Sequence, residues 1–244
     1  MSIADKLTLI AENEQKVYEA GKKAEYDKFW DALQVNGTRT RYENGFFGWD
    51  TGAFYPKYDI VPTGNMQKFM QYFGITNSEP IDFAARLEEC GVKLDTSKAT
   101  NTNCAFYWNP KISRLPEISL VSSTNTTLAF SQNDYLVTID KVIFSDDGTQ
   151  PSAVNTFLNM GALQNITIEG VIGNTVNFQA SPLLTAESVK SIITHLKVFE
   201  TTDAAYQTKY VYFNANAWAR VEEDSTAPDG GTWKAYVQSL GWNI

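Results

Sequence analysis

Histidine and cysteine are almost missing from this chain of 244 residues: there is one His, at position 195, and two Cys, at 90 and 104. A Ser/His/Asp or Cys/His nucleophile system needs a base beside its nucleophile. His195 stands alone next to Leu196 in a helical pattern, so that chemistry has little material. Neither cysteine belongs to a Cys-x-x-Cys pair or to a Cys/His cluster of zinc spacing, so no metal is expected. Cys90 and Cys104 read as two separate buried thiols, with a disulfide between them as the alternative. Basic residues are in deficit, 20 against 28 acidic, and the net charge of −8 repels a phosphate backbone. No Lys/Arg cluster offsets this locally, which excludes nucleic acid as a partner. No run of about 18 apolar residues occurs, which excludes a membrane-spanning helix. The opening MSIADKLTLIAENEQK mixes charged and apolar residues where a signal peptide has an unbroken apolar core. The chain therefore reads as a soluble protein made in the cytoplasm.

What is present is enough apolar content, 43%, to bury a real core. Residues 1–34 read as one long helix without proline and rich in Ala, Glu and Lys. Ile3, Leu7, Ile10 and Val17 fall on the spacing of a coiled-coil seam, which points to self-association or docking. Tyr26, Phe29, Trp30 and Leu33 suit packing on the chain's own body. Residues 35–64 form a Gly-, Asn- and aromatic-rich junction in which Phe46, Phe47, Trp49, Phe54, Tyr55 and Tyr58 cluster. Such rings could stack on sugars, but filling the joint between elements is their commoner use.

From about residue 65 a repeat begins. Phe106 is followed at +6 and +9 by Ile112 and Leu115, Phe130 by Leu136 and Ile139, and Phe157 by Leu163 and Ile166. Phe69 with Ile75 reads as an earlier partial copy and Phe178 with Leu184 as a late one. The gaps between these phenylalanines are 37, 24, 27 and 21 residues, the first lengthened by an insertion around residues 78–100. That period is the mark of a solenoid, in which stacked turns share a core that no single repeat could bury. The segments 112–120, 136–144 and 163–171 are rich in Ile, Val and Thr and are expected to supply stacked parallel strands. After Phe178 the pattern breaks. Thr185 then reads as the N-cap of a helix with Glu187 in its first turn, and residues 186–244 as a C-terminal cap.

The residues Ala129, Phe130, Asn133, Leu136 and Ile139, matched by Ala105, Phe106, Asn109, Ile112 and Leu115, resemble the BspA-type, or Treponema-type, leucine-rich repeat. The resemblance covers about residues 65–185. Thr156 and Asn177 replace the small residue before Phe, and Asn stands where the family often has Cys, with Met160 there in the third copy. Together with the flanking readings it implies an α/β solenoid: a leucine-rich repeat with short stacked parallel strands, a long N-terminal helix and a helical C-terminal cap. The order IAENEQKVYEAGKKAEYDKFWD, FYPKYDIVPTGN, LTAESVKSIITHLK and LGWNI is similar to leucine-rich repeat proteins carried by phages and prophages of gut Firmicutes, generally taken as surface or tail-associated.

Other motifs offer little chemistry. Asp146 and Asp147 lie in SDDGTQPS, which reads as a turn, and Glu222, Glu223 and Asp224 in a charged run, where neighbouring acids usually point into solvent rather than across a cleft. Gly45, Gly48 and Gly52 lack the strand-to-helix context of a phosphate loop. The function expected is non-enzymatic and without cofactor: a phage tail or baseplate component that recognises a host-surface glycan or protein, sited in the virion. Its assembly partner would be itself, a trimer first, or other virion proteins. A bacterial surface adhesin is the second reading and a carbohydrate-active enzyme the third. Arg114, Glu117, Thr138, Asp140, Asn165 and Thr167, projecting from the strand segments, are the candidate ligand-binding residues.

Overall fold

In the computed structural model, residues 56, 58–73, 79–149 and 153–244 are described, with eleven scattered positions between 6 and 24. Strands β1 (Ile81–Asp82), β2 (Ile112–Ser119), β3 (Thr138–Ile143) and β4 (Asn165–Glu169) form one sheet in that order, every neighbouring pair parallel. A second parallel pair joins β5 (Val176–Phe178) to β6 (Val211–Phe213). Helices α1 (Phe83–Cys90), α2 (Ala186–Thr194), α3 (Ala215–Asp224) and α4 (Trp233–Ser239) complete an α/β fold with parallel sheets. No described helix is long and apolar enough to cross a membrane.

The three-residue apolar spacing has a direct cause. In β2 the inward residues are Ile112, Leu115 and Ile118, and in β3 Ile139 and Val142, so two residues stand outside between successive inward ones. Because β2 and β3 share this step, their register stays even. Strand β4 returns to the ordinary two-residue alternation with Ile166 and Ile168 inside, and its register against β3 shifts between Ile139 and Val142. This shift is the signature of an extra residue in one strand.

Aromatic rings form a column along the core. Phe106, Phe130, Phe157, Phe178 and Phe213 stack in succession with centroids 5.6, 5.3, 4.6 and 5.9 Å apart. The column and the parallel pairing run past residue 185: Phe213 lies in register with Phe178, and isolated bridges join Ile172 to Leu196 and Tyr210 to Asn243. At the other end the register differs from the Phe69 alignment by one residue. Met70 N–H donates to Ala105 O as Phe106 N–H does to Ala129 O and Phe130 N–H to Thr156 O. Met70 is therefore the counterpart of Phe106, its flexible thioether filling the same slot, while Phe69 meets the Phe106 ring edge-on at 6.0 Å. Ile75 lies outside the described residues.

Beside this column runs a ladder of buried asparagines. Asn109 Oδ1 accepts from Phe73 N–H and its Nδ2 donates to Phe106 O. Asn133 Oδ1 accepts from Asn109 N–H, and its Nδ2 donates to Phe106 O and Phe130 O. Each amide thus satisfies main-chain groups of two neighbouring segments in a buried site, where an unpaired donor or acceptor is costly. The open edge of β4 is closed in a related way. Helix α2, capped by Thr185 and with Glu187 in its first turn, lays Ser188 Oγ and Ser191 Oγ against Ile166 N–H and Ile168 N–H. An edge that would otherwise offer bare donors to another strand is occupied.

Ile3 and Leu7 of the expected seam lie outside the described residues, as do most positions of the N-terminal helix and Phe46 to Tyr55 of the junction. The described positions between 6 and 24 are all helical and exposed, Ile10 and Val17 among them. Tyr58 packs against the core. Cys90 and Cys104 are not joined in a disulfide; Cys90 is half-buried rather than buried, and Cys104 is buried and pushed up in pKa by desolvation.

Phe130→Ala and Phe157→Ala are each expected to destabilise the chain by about 3 to 5 kcal/mol, as buried ring truncations do. Asn133→Ala strips partners from Asn109 N–H and Phe130 O and should cost about 3 kcal/mol, at roughly 1–3 kcal/mol per stranded group. Urea unfolding of the three variants, with the exposed Asn165→Ala as reference, checks both.

Candidate functional site

Two outward residues per step in β2 and β3 give the sheet a dense polar outer face, and all six candidate residues stand on it. Arg114, Thr138 and Asn165 share one register row across β2, β3 and β4. The Asn165 amide reaches Thr138 Oγ1 at 3.4 Å, and Thr167 is exposed beside them. Arg114 holds Asp140 with two parallel hydrogen bonds, Nε to Oδ1 at 2.7 Å and Nη2 to Oδ2 at 2.9 Å. Asp82 and Glu88 stand at 3.9 and 3.5 Å from the same guanidinium. The Asp140 hydrogen bond, and then the surrounding negative charge, raises the pKa of Arg114 further.

One step along, Glu117 pairs with Lys141, at 3.3 Å, and Lys141 is held on its other side by Glu169 at 2.9 Å. These bonds, Glu169 first, raise the pKa of the ammonium. The face thus carries two cations among five carboxylates, each cation clamped between strands. Lys141, Glu169, Asp82 and Glu88 were not among the candidates read from sequence. Lys141 stands beside Asp140 in a doubled outward step, and the pair becomes visible only once the three-residue inward period of the strand is taken literally.

A groove of about 550 Å³ opens next to this face, between α1 and the second half of β2. It exists because β1 stops after two residues: Asp82 ends the strand and at once caps α1, its carboxylate accepting from Ala85 N–H. On its β1 side the second half of β2 is left without a neighbouring strand. Pro116 stands in that stretch and has no N–H to leave unpaired. Leu87, Val92, Leu94 and Pro116 give the groove apolar walls, with Glu88 and Glu117 among its polar groups. Its size suits a side chain or a small ligand.

Asp147, Glu222 and Asp224, outside this face, have structural work. Asp147 Oδ1 accepts from Thr149 N–H and Oγ1, closing a turn, and these bonds lower its pKa. The Glu222 carboxylate accepts from Trp233 N–H and Lys234 N–H at the start of α4. Asp224 is bonded to Lys190, which joins α2 to α3 and lowers the Asp224 pKa. His195 Nδ1 lies 2.7 Å from Ser191 O. Among the described residues no group of three His, Cys, Asp or Glu is placed to hold a metal ion. Comparison with protein-family models, curated proteins and solved structures finds no match for the chain.

Arg114→Met is expected to destabilise the chain by about 1 kcal/mol, the scale of a partly exposed ion pair. The loss should shrink in high salt, where the carboxylates left behind are screened. Urea midpoints of both proteins at low and high ionic strength measure it.

Proposed function

We propose that the chain is a leucine-rich-repeat solenoid of the BspA type acting as a non-enzymatic recognition module, with the outer face of β1 to β4 and its adjoining groove as the contact surface. The observation that carries this reading is the repeated bond between segments. Residues 24 to 27 positions apart make the same main-chain hydrogen bond to their neighbours and place a phenylalanine in one column. Such stacking makes a broad, stiff surface, and surfaces of this kind serve recognition. The clamped cations support the reading, because a side chain held from both sides presents a fixed charge pattern at little further entropy cost on binding.

The N-terminal segment supplies assembly. Exposed Ile10 and Val17 stand seven residues apart in helical conformation, the spacing of a seam facing a partner helix. The partner is a second copy, giving a homo-oligomer, with a trimer as the first expectation. In the phage reading that the sequence resemblance implies, the assembly belongs to a virion tail or baseplate and its ligand is on a host cell.

Replacing Ile3, Leu7 and Ile10 together by Ser should convert an oligomer into a monomer with an unchanged melting temperature, read by light scattering after size exclusion. Labelled protein should bind intact bacterial cells saturably, and Lys141→Glu should weaken that binding. Release of soluble sugar from cell-wall glycan by the purified chain would instead favour the carbohydrate-active reading.

A further inference from the structure

A second surface lies at the turns that precede strands β2, β3 and β4. Tyr72, Trp108, Gln132 and Asn159 occupy the same position in four successive segments. The main-chain bonds Tyr72 N–H to Tyr107 O, Trp108 N–H to Ser131 O and Gln132 N–H to Leu158 O fix that alignment. All four have left-handed backbones, with φ of 68°, 51°, 64° and 56°. Equivalent positions with matching positive φ set the four residues one over the next in a single row. Neighbouring segments are about 4.8 Å apart, which makes the row roughly 14 Å long.

The make-up of this row is specific. Left-handed backbone is glycine's preserve, and bulky residues there are uncommon. Here the position holds two aromatics and two side-chain amides. Trp108 is 46% exposed, whereas Trp218, Trp233 and Trp242 are all buried, at 7%, 4% and 0%. Tyr72 and Trp108 meet edge to face at 5.2 Å, giving the row a continuous aromatic end. Among the described residues the Gln132 and Asn159 amides and the Trp108 indole N–H have no hydrogen-bond partner within the protein. The row thus offers the exposed Trp108 ring at one end, and the amides of half-buried Gln132 and exposed Asn159 at the other. It carries no charge, in a chain where one residue in five is charged.

We propose that this row is a binding strip for a neutral glycan chain. A pyranose ring presents an apolar C–H face suited to stacking on the exposed Trp108, and hydroxyl pairs suited to the donor and acceptor of a side-chain amide. The absence of charge selects against acidic polysaccharide, which the net charge of −8 also repels. The inference rests on the recognition reading above, and it names both the ligand class and a surface distinct from the ion-paired face.

The test uses the full chain, a panel of neutral oligosaccharides (β-glucan, mannan, chitin and galactan fragments) and the same intact bacterial cells. Trp108→Gly suits the backbone at φ 51° and should leave the melting temperature unchanged or raised. It should weaken binding to the recognised oligosaccharide about tenfold, the scale of a lost ring contact. Trp108→Phe keeps a ring and should retain most of the affinity. Gln132→Ala should weaken binding without altering the fold. Oligosaccharide binding left intact in Trp108→Gly would overturn the strip. So would binding of cells with no oligosaccharide in the panel bound, and in both cases the recognition reading survives. Binding of neither cells nor oligosaccharides would overturn both.

Discussion

The parallel main-chain bond between one segment and the next is the constraint from which the rest of this structure follows. Once Phe106 N–H must meet Ala129 O, and Phe130 N–H must meet Thr156 O, every side chain at a given position lies over its counterpart. Equivalent positions then become rows. A row of phenylalanines makes the core column, a row of asparagines supplies its buried polar partners, and a row of left-handed residues lies at the turns. A change in one member is felt by the two segments it touches, because neighbouring segments share their core and their hydrogen bonds.

The same constraint explains how charge is used. Strands stacked in register bring outward residues from different segments within ion-pair reach, so Arg114 meets Asp140 and Lys141 bridges Glu117 and Glu169. These acids and bases are far apart in sequence and adjacent in space. Elsewhere Asp147 closes a turn, Glu222 caps a helix and Asp224 ties two helices together. The groove arises where the stacking is interrupted, at the two-residue strand β1 and the helix that follows it.

Much of this was legible from spacing alone. Phe106, Phe130 and Phe157, each with apolar partners at +6 and +9, announce a shared core, and the Ile/Val/Thr segments after them are strands β2, β3 and β4. The pattern misled where it relied on residue identity. Phe69 is a phenylalanine, but Met70 fills the column position, since the slot demands apolar volume rather than a ring. Phe213 escaped notice because it follows Phe178 by 35 residues, the intervening α2 having stretched the segment. The asparagines were visible as a motif, but their role is a matter of hydrogen bonds between segments that spacing does not reveal. Of the outer face, the six candidate residues were found together. Lys141 and Glu169, which complete the clamp, needed the strand register, and the row at the turns needed the backbone angles.

The central claim is that the stacked segments from Met70 to Asn243 behave as one cooperative body tied by the shared column. Native-state hydrogen exchange of the full chain tests it most directly, since it reads the opening free energy of each amide separately. The account predicts that the buried amides of Phe106, Asn109, Phe130, Ile139, Ile166 and Val211 exchange with a common free energy equal to that of global unfolding. Exchange of Val211 and its neighbours at a much lower free energy than Phe106 and Phe130 would contradict it, because the column would then be two independent halves.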